Sequence, residues 1–184
     1  MNLFHYIKEL LVPPKKMVPL ELLPLDKSRP DKHDLVEFDG NTYKISAVLT
    51  YDYGPFHCNE YELKSSKGKT FYLEEQVSDQ KAWAFIEKTS MSFLTNGLQI
   101  KRLLEKGLHP KRLLHHDELY LLESTNSGSY NQSEHIPFQS FTYWSYINTK
   151  GTCSIILQKW CDGSMVFIKG INLQESDLKF FLRH

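Results

Sequence analysis

His57, Cys58 and Glu60 form the one compact set of thiol, imidazole and carboxylate side chains in this 184-residue chain. Such a set could make a cysteine nucleophile with a histidine base, or part of a zinc site. Either use needs partners from elsewhere, because a nucleophile works only with a base in hydrogen-bond reach and zinc wants four ligands. A turn histidine beside a small buried cysteine satisfies the same residues with no chemistry. A Cys/His hydrolase is therefore the least favoured alternative. No catalytic residue, metal site or cofactor is expected.

The other nucleophile and phosphate signals are missing. None of the eight histidines shows the His-Glu-x-x-His spacing that sets two ligands on one helix face. His115 and His116 are adjacent, and on a strand adjacent side chains point to opposite faces. There is no Gly-x-Ser-x-Gly elbow, P-loop or dinucleotide fingerprint. Cys58, Cys153 and Cys161 are odd in number and widely spaced, so they frame no disulfide scaffold or Cys-x-x-Cys knuckle. Lys101-Arg102-Leu103-Leu104 recurs as Lys111-Arg112-Leu113-Leu114, which reads as charge toward water beside leucine toward the core. With Lys plus Arg and Asp plus Glu at 22 each, no overall field draws the chain to nucleic acid.

Carboxylates and aromatic rings remain. Glu60 and Glu62 share one strand face, as do Glu74 and Gln76, and on a sheet with one wet side they should be solvated. Tyr51, Tyr53, Phe56, Tyr61, Tyr143, Trp144 and Tyr146 offer apolar area with polar tips, suited to a barrel mouth or a docking face. Tyr51, Tyr53, Glu60, Tyr61, Glu62, Trp144 and Tyr146 are thus the candidate ligand or partner contacts.

The elements that must position these residues are mostly strands. Tyr43, Ile45, Ala47, Leu49 and Tyr51 alternate with Lys44, Ser46 and Thr50, after the hairpin signal Asp39-Gly40. Tyr61 and Leu63, then Phe71 and Leu73 beyond Lys67-Gly68-Lys69, continue a meander. Residues 81 to 88 read as a strand, and Leu98 to Lys106 as a helix stopped by Gly107 and Pro110. A hairpin follows about His116-Asp117, then a polar loop over residues 124 to 129. The last third returns to strands around Phe141–Tyr146, Cys153–Lys159 and Met165–Ile168, with Asp162-Gly163 as a turn. Residues 177 to 182 read as a short terminal helix or strand.

A shift of 95 residues places Tyr51 on Tyr146 and Gly68 on Gly163, a faint echo between two meanders. The expected fold is mainly β: an antiparallel two-sheet sandwich or partly closed barrel built from two meanders, with short N-terminal and central helices. Residues 1–33 form an arm, with an amphipathic helix over 2–12 (Leu3, Phe4, Ile7, Leu10, Leu11) and five prolines between 13 and 30. Residues 34–184 form the β-rich domain. Neither a signal peptide nor an apolar run of membrane length is present, so a cytoplasmic protein is expected, without peripheral membrane contact.

The pattern Glu60-Tyr61-x-Leu63, followed by Gly68-x-x-Phe71-Tyr72-Leu73, resembles a bacterial family of domains of unknown function. Ile155-Ile156-Leu157-Gln158-x-Trp160, with Asp162-Gly163 and Gly170, is similar to that family's second block, which usually has glutamate where this chain has Gln158. The resemblance implies a small β-rich protein encoded near phage-shock, membrane-stress and polyamine-synthesis genes, with no established activity. The leading expectation is a non-enzymatic accessory module that binds an unidentified protein partner. The alternative is a barrel holding a small ligand through aromatic and acidic residues.

Overall fold

Two tight turns with both central residues at positive φ start the two halves of the domain. Asp39 and Gly40 (φ 49° and 69°) join strands β1 (Leu35–Phe38) and β2 (Asn41–Asp52). His116 and Asp117 (φ 48° and 62°) join β6 (Arg112–His115) and β7 (Glu118–Asn131). This is the turn geometry that matches the right-handed twist of paired strands. The computed structural model describes residues 29–53, 56–77, 82–131 and 139–181. The expected N-terminal helix lies outside them.

After each hairpin the chain meanders through three more strands. In the first half these are β3 (His57–Ser65), β4 (Thr70–Val77) and β5 (Ala82–Ser90). In the second they are β8 (Gln139–Asn148), β9 (Cys153–Trp160) and β10 (Met165–Leu173). Between the halves lie a 3₁₀ turn (Met91–Phe93) and helix α1 (Gly97–Glu105), and β11 (Lys179–Phe181) pairs back onto β1. All pairings are antiparallel in one eleven-stranded sheet, ordered β11-β1-β2-β3-β4-β5-β10-β9-β8-β7-β6, with β2 also pairing β7. The halves meet through equivalent strands at both seams, β5 with β10 and β2 with β7. Eight strands therefore form a ring, with β1, β11 and β6 as flaps. Of the two expected architectures, the structure is the partly closed barrel.

Closure is confined to one end, where Thr50–Asp52 pair with Ser129–Asn131. The long strands β2 and β7 reach both the ring and their own flap because each bends at a bulge, at Ser46 and at Glu123. Gly128 lets the seam close. A Cβ there would stand 2.8 Å from the Asp52 carbonyl oxygen and 2.6 Å from the Phe141 ring. The polar stretch 124–129, expected as a loop, is instead strand, because its residues pair along their length with β8. Its lack of apolar alternation reflects a strand whose small polar residues permit bending and close approach.

Three apolar clusters result. Tyr51, Tyr53, Ala84, Ile86, Phe141, Tyr143, Ile156 and Ile168 line the ring interior. Outside it, β1 and β11 cover Tyr61, Leu73 and Trp83, while the 3₁₀ turn, α1 and β6 cover Trp144, Tyr146, Leu157 and Phe167. The helix expected over Leu98 to Lys106 is thus α1, burying Ile100 and Leu104. Among the described residues no helix is long and apolar enough to cross a membrane. The internal echo is real in topology but was misaligned by the 95-residue shift, which set β2 on β8. The matching turns and bulges put β1 on β6 and β2 on β7.

Candidate functional site

Inside the ring, next to its closed end, the first meander places three ionisable side chains together. Glu60 of β3 stands opposite Glu74 of β4 in register, and Lys88 projects from the same face of β5. Lys88 Nζ lies 2.6 Å from Glu60 Oε2 and donates to the Tyr51 hydroxyl at 3.1 Å. Its ammonium also sits over the Tyr51 and Tyr72 rings, 4.9 and 4.6 Å from their centroids. Glu60 is 0 % exposed. Glu60 and Glu74 are not solvated as expected of residues on a half-wet sheet, because ring closure encloses this face of β3 and β4 next to the closed end.

The second charge is left without a full counterpart. The Tyr53 hydroxyl donates to Glu74 and accepts from Gln158 Nε2 at 3.4 Å, linking the two halves across the interior. One Glu74 oxygen and both ends of the Gln76 side-chain amide are buried with no hydrogen-bond partner among the described residues. Burial, then the neighbouring Glu60 charge, pushes the Glu74 carboxyl up to about 7. Burial likewise raises Glu60, against the pull of Lys88. Burial pulls Lys88 down, but Glu60 and Glu74 outweigh it and hold the ammonium above its ordinary value. The interior at neutral pH is thus one ion pair plus a carboxyl poised to titrate.

Among the residues expected to make contacts, Tyr51, Tyr53 and Glu60 meet here. Glu62 is on the same face of β3 but nearer the open end, where Ser46 donates to it at 2.7 Å and Lys64 lies 3.0 Å away. The Ser46 hydrogen bond lowers its carboxyl. Tyr61, Trp144 and Tyr146 have the opposite strand phase and sit outside the ring. Tyr61 donates to Glu75 at 2.8 Å, Tyr146 donates to the Pro110 carbonyl at 3.0 Å, and Trp144 packs in the cluster under α1. They do not join one site.

Glu74, Gln76, Lys88 and Tyr143 share the interior and stand outside the expected set of contacts. Strand phase was the usable signal: Lys88 follows Ala82, Ala84 and Ile86 on one face, and the turn at Lys67–Lys69 sets Glu74 against Glu60. His57 and Cys58 do not converge. His57 Nδ1 is 3.8 Å from Asp52 Oδ1, whereas Cys58 points into the ring. Burial first, then Glu74 and Glu60, pushes the Cys58 thiol well up, which makes it a poor nucleophile. Among the described residues no three His, Cys, Asp or Glu side chains converge as metal ligands.

No solved structure matches the chain. An uncharacterized protein of Aquifex aeolicus (strain VF5) is 23 % identical over 182 residues, spanning 99 % of each chain. The model of the domain of unknown function DUF4178 matches residues 32–175, from just before β1 to beyond β10, and includes every residue of the buried cluster. The chain belongs to the DUF4178 family.

Proposed function

We propose that this protein is a non-enzymatic binding module of the cytoplasm whose barrel interior takes a small amine. One observation carries the reading: among the described residues, a half-partnered Glu74 carboxyl and an unpartnered Gln76 amide, both buried in a ring lined by tyrosines. Buried polar groups are nearly always satisfied, so unpaired ones aimed inward call for a polar guest. An eight-stranded ring has room for side chains or one small ligand. A guest ammonium would meet a carboxylate in Glu74, an acceptor in Gln76 and the faces of Tyr53 and Tyr143. It would also draw Glu74 into its ionised form.

The test is native mass spectrometry and calorimetry with 1,4-diaminobutane and butylamine. Saturable binding that releases protons near pH 7 in the parent and fewer in Glu74→Gln, with affinity reduced roughly tenfold in the variant, supports the reading. Binding unchanged in that variant, or none with either amine, refutes it. A second reading rests on Leu98, Leu108, Leu114 and Phe93, exposed around α1 and β6. Apolar side chains grouped there favour an accessory module that docks a protein partner, as in a membrane-stress or polyamine-linked system. Cross-linking that maps a partner to α1 favours this second reading.

A further inference from the structure

The seam between β5 and β10 carries, on its outer face, an open cleft of about 420 Å³. It is separate from the interior cluster, since its strand residues have the opposite phase. Its polar lining is dominated by donors. Lys69 and Lys169 both flank the single carboxylate Glu87: Lys69 Nζ is 2.8 Å from it, and Lys169 is its cross-strand neighbour. Within the lining, one carboxylate facing two ammonium groups leaves a net positive charge, and Glu118, across from His115, is a further carboxylate near Lys169. The Thr89 hydroxyl in the same lining is buried with no hydrogen-bond partner among the described residues.

The imidazole of His115 adds a donor. Burial first, then His116 and Lys169, holds it below its ordinary value, so it is neutral near pH 7. Its Nδ1 faces the Thr95 backbone N–H at 3.4 Å and acts as acceptor, which assigns the ring proton to Nε2. The walls are aromatic: Phe167 packs edge-on against His115 with centroids 5.2 Å apart, and Phe93 stands at the rim, 66 % exposed.

We propose that this cleft binds a small organic oxyanion with a planar apolar body, its charged head held by Lys169, Thr89 and His115 and its body against Phe93. Ammonium and hydroxyl donors around one anionic head form charge-assisted hydrogen bonds, and an exposed ring at the rim gives the body a surface to cover.

The experiment is a titration with phenyl phosphate, benzoate and inorganic phosphate, followed through the histidine ring resonances. Saturable shifts at His115, with phenyl phosphate bound tighter than inorganic phosphate, are expected. Lys169→Gln should weaken phenyl phosphate roughly tenfold, as loss of a charged hydrogen bond does. Phe93→Ala should erase the preference for phenyl over inorganic phosphate, and Glu74→Gln should change neither. Unmoved His115 resonances at about 10 mM probe, where even weak millimolar sites fill, would overturn the proposal. So would Lys169→Gln and Thr89→Val variants that bind like the parent protein.

Discussion

Replacing Glu74 with glutamine should stabilise the protein in alkaline but not in acidic solution. The native carboxyl is raised from 4.5 to about 7, chiefly by burial. Between those limits the folded protein holds a proton that the unfolded chain has released. Unfolding stability therefore falls as pH rises through this window, and the whole penalty is present above it. At about 1.4 kcal/mol per pH unit the gap amounts to about 3 kcal/mol. Glutamine mimics the protonated carboxyl and cannot ionise. The difference between variant and parent should be near zero at about pH 4.5 and grow to about 3 kcal/mol by about pH 8. Urea unfolding followed by the fluorescence of Trp83, Trp144 and Trp160 reads this directly, and the difference cancels the titrations that do not feel Glu74. A gap that does not change with pH, or a variant less stable at about pH 8, refutes the burial argument. Glu62→Gln supplies a control of opposite sign. That carboxyl is lowered in the fold by Ser46, so its contribution is present at neutral pH and lost on acidification.

Lys88→Met should cost about 3–5 kcal/mol, because Glu60 then stays buried without its counter-charge. The double variant Glu60→Gln with Lys88→Met should recover most of that loss, and chemical denaturation of the three proteins closes the cycle. Gly128→Ala should open the β2–β7 seam, since a Cβ collides with the Asp52 carbonyl oxygen at 2.8 Å. Hydrogen exchange should then speed up at Thr50–Asp52 and Ser129 while β4 and β5 stay protected. Equal protection at the seam in variant and parent would show that closure does not depend on this glycine.

Most of the strands were legible because their turns carry chemistry that is local. Asp39-Gly40, Gly68 and Asp162-Gly163 announce themselves by the φ values they permit, and alternation in Tyr43–Tyr51 fixes a buried face. Ring closure is not local. It depends on Gly128 lying in a run, Ser124–Ser129, whose composition is that of a loop, and on bulges that no periodicity marks. Without closure, Glu60 and Glu74 belong on a wet face. With it, the same strand phase puts them in the interior. Tyr61, Trp144 and Tyr146 were grouped with Tyr51 by composition, although their phase already set them on the other side of the sheet. The candidate site was thus half readable: side-chain phase was present in the sequence, but which face would be enclosed was not.

The pairing registers also show that the interior charge belongs to one half of the ring. Aligning the bulge at Ser46 with that at Glu123, and following each pairing outward, sets Glu60 on Tyr143, Glu74 on Gln158 and Lys88 on Gly170. Tyr53 falls on Tyr130 and Tyr51 on Gly128. The first half therefore supplies two carboxylates and an ammonium where the second supplies a phenol, an amide and a glycine. A ring with the triad in both halves would bury two further carboxylates and a further ammonium, at several kcal/mol for each ion after relaxation. The neutral half avoids that penalty and keeps hydrogen-bonding capacity, since Gln158 meets the same Tyr53 hydroxyl that serves Glu74. Gly170 has no room to spare, because a Cβ there would stand 2.7 Å from Ser154 Oγ and 3.2 Å from the Ile86 methyl. Placing a lysine at that position would therefore fail on steric grounds before its charge mattered. The asymmetry confines the interior charge to one wall, which also carries the Gln76 amide, buried with no hydrogen-bond partner among the described residues.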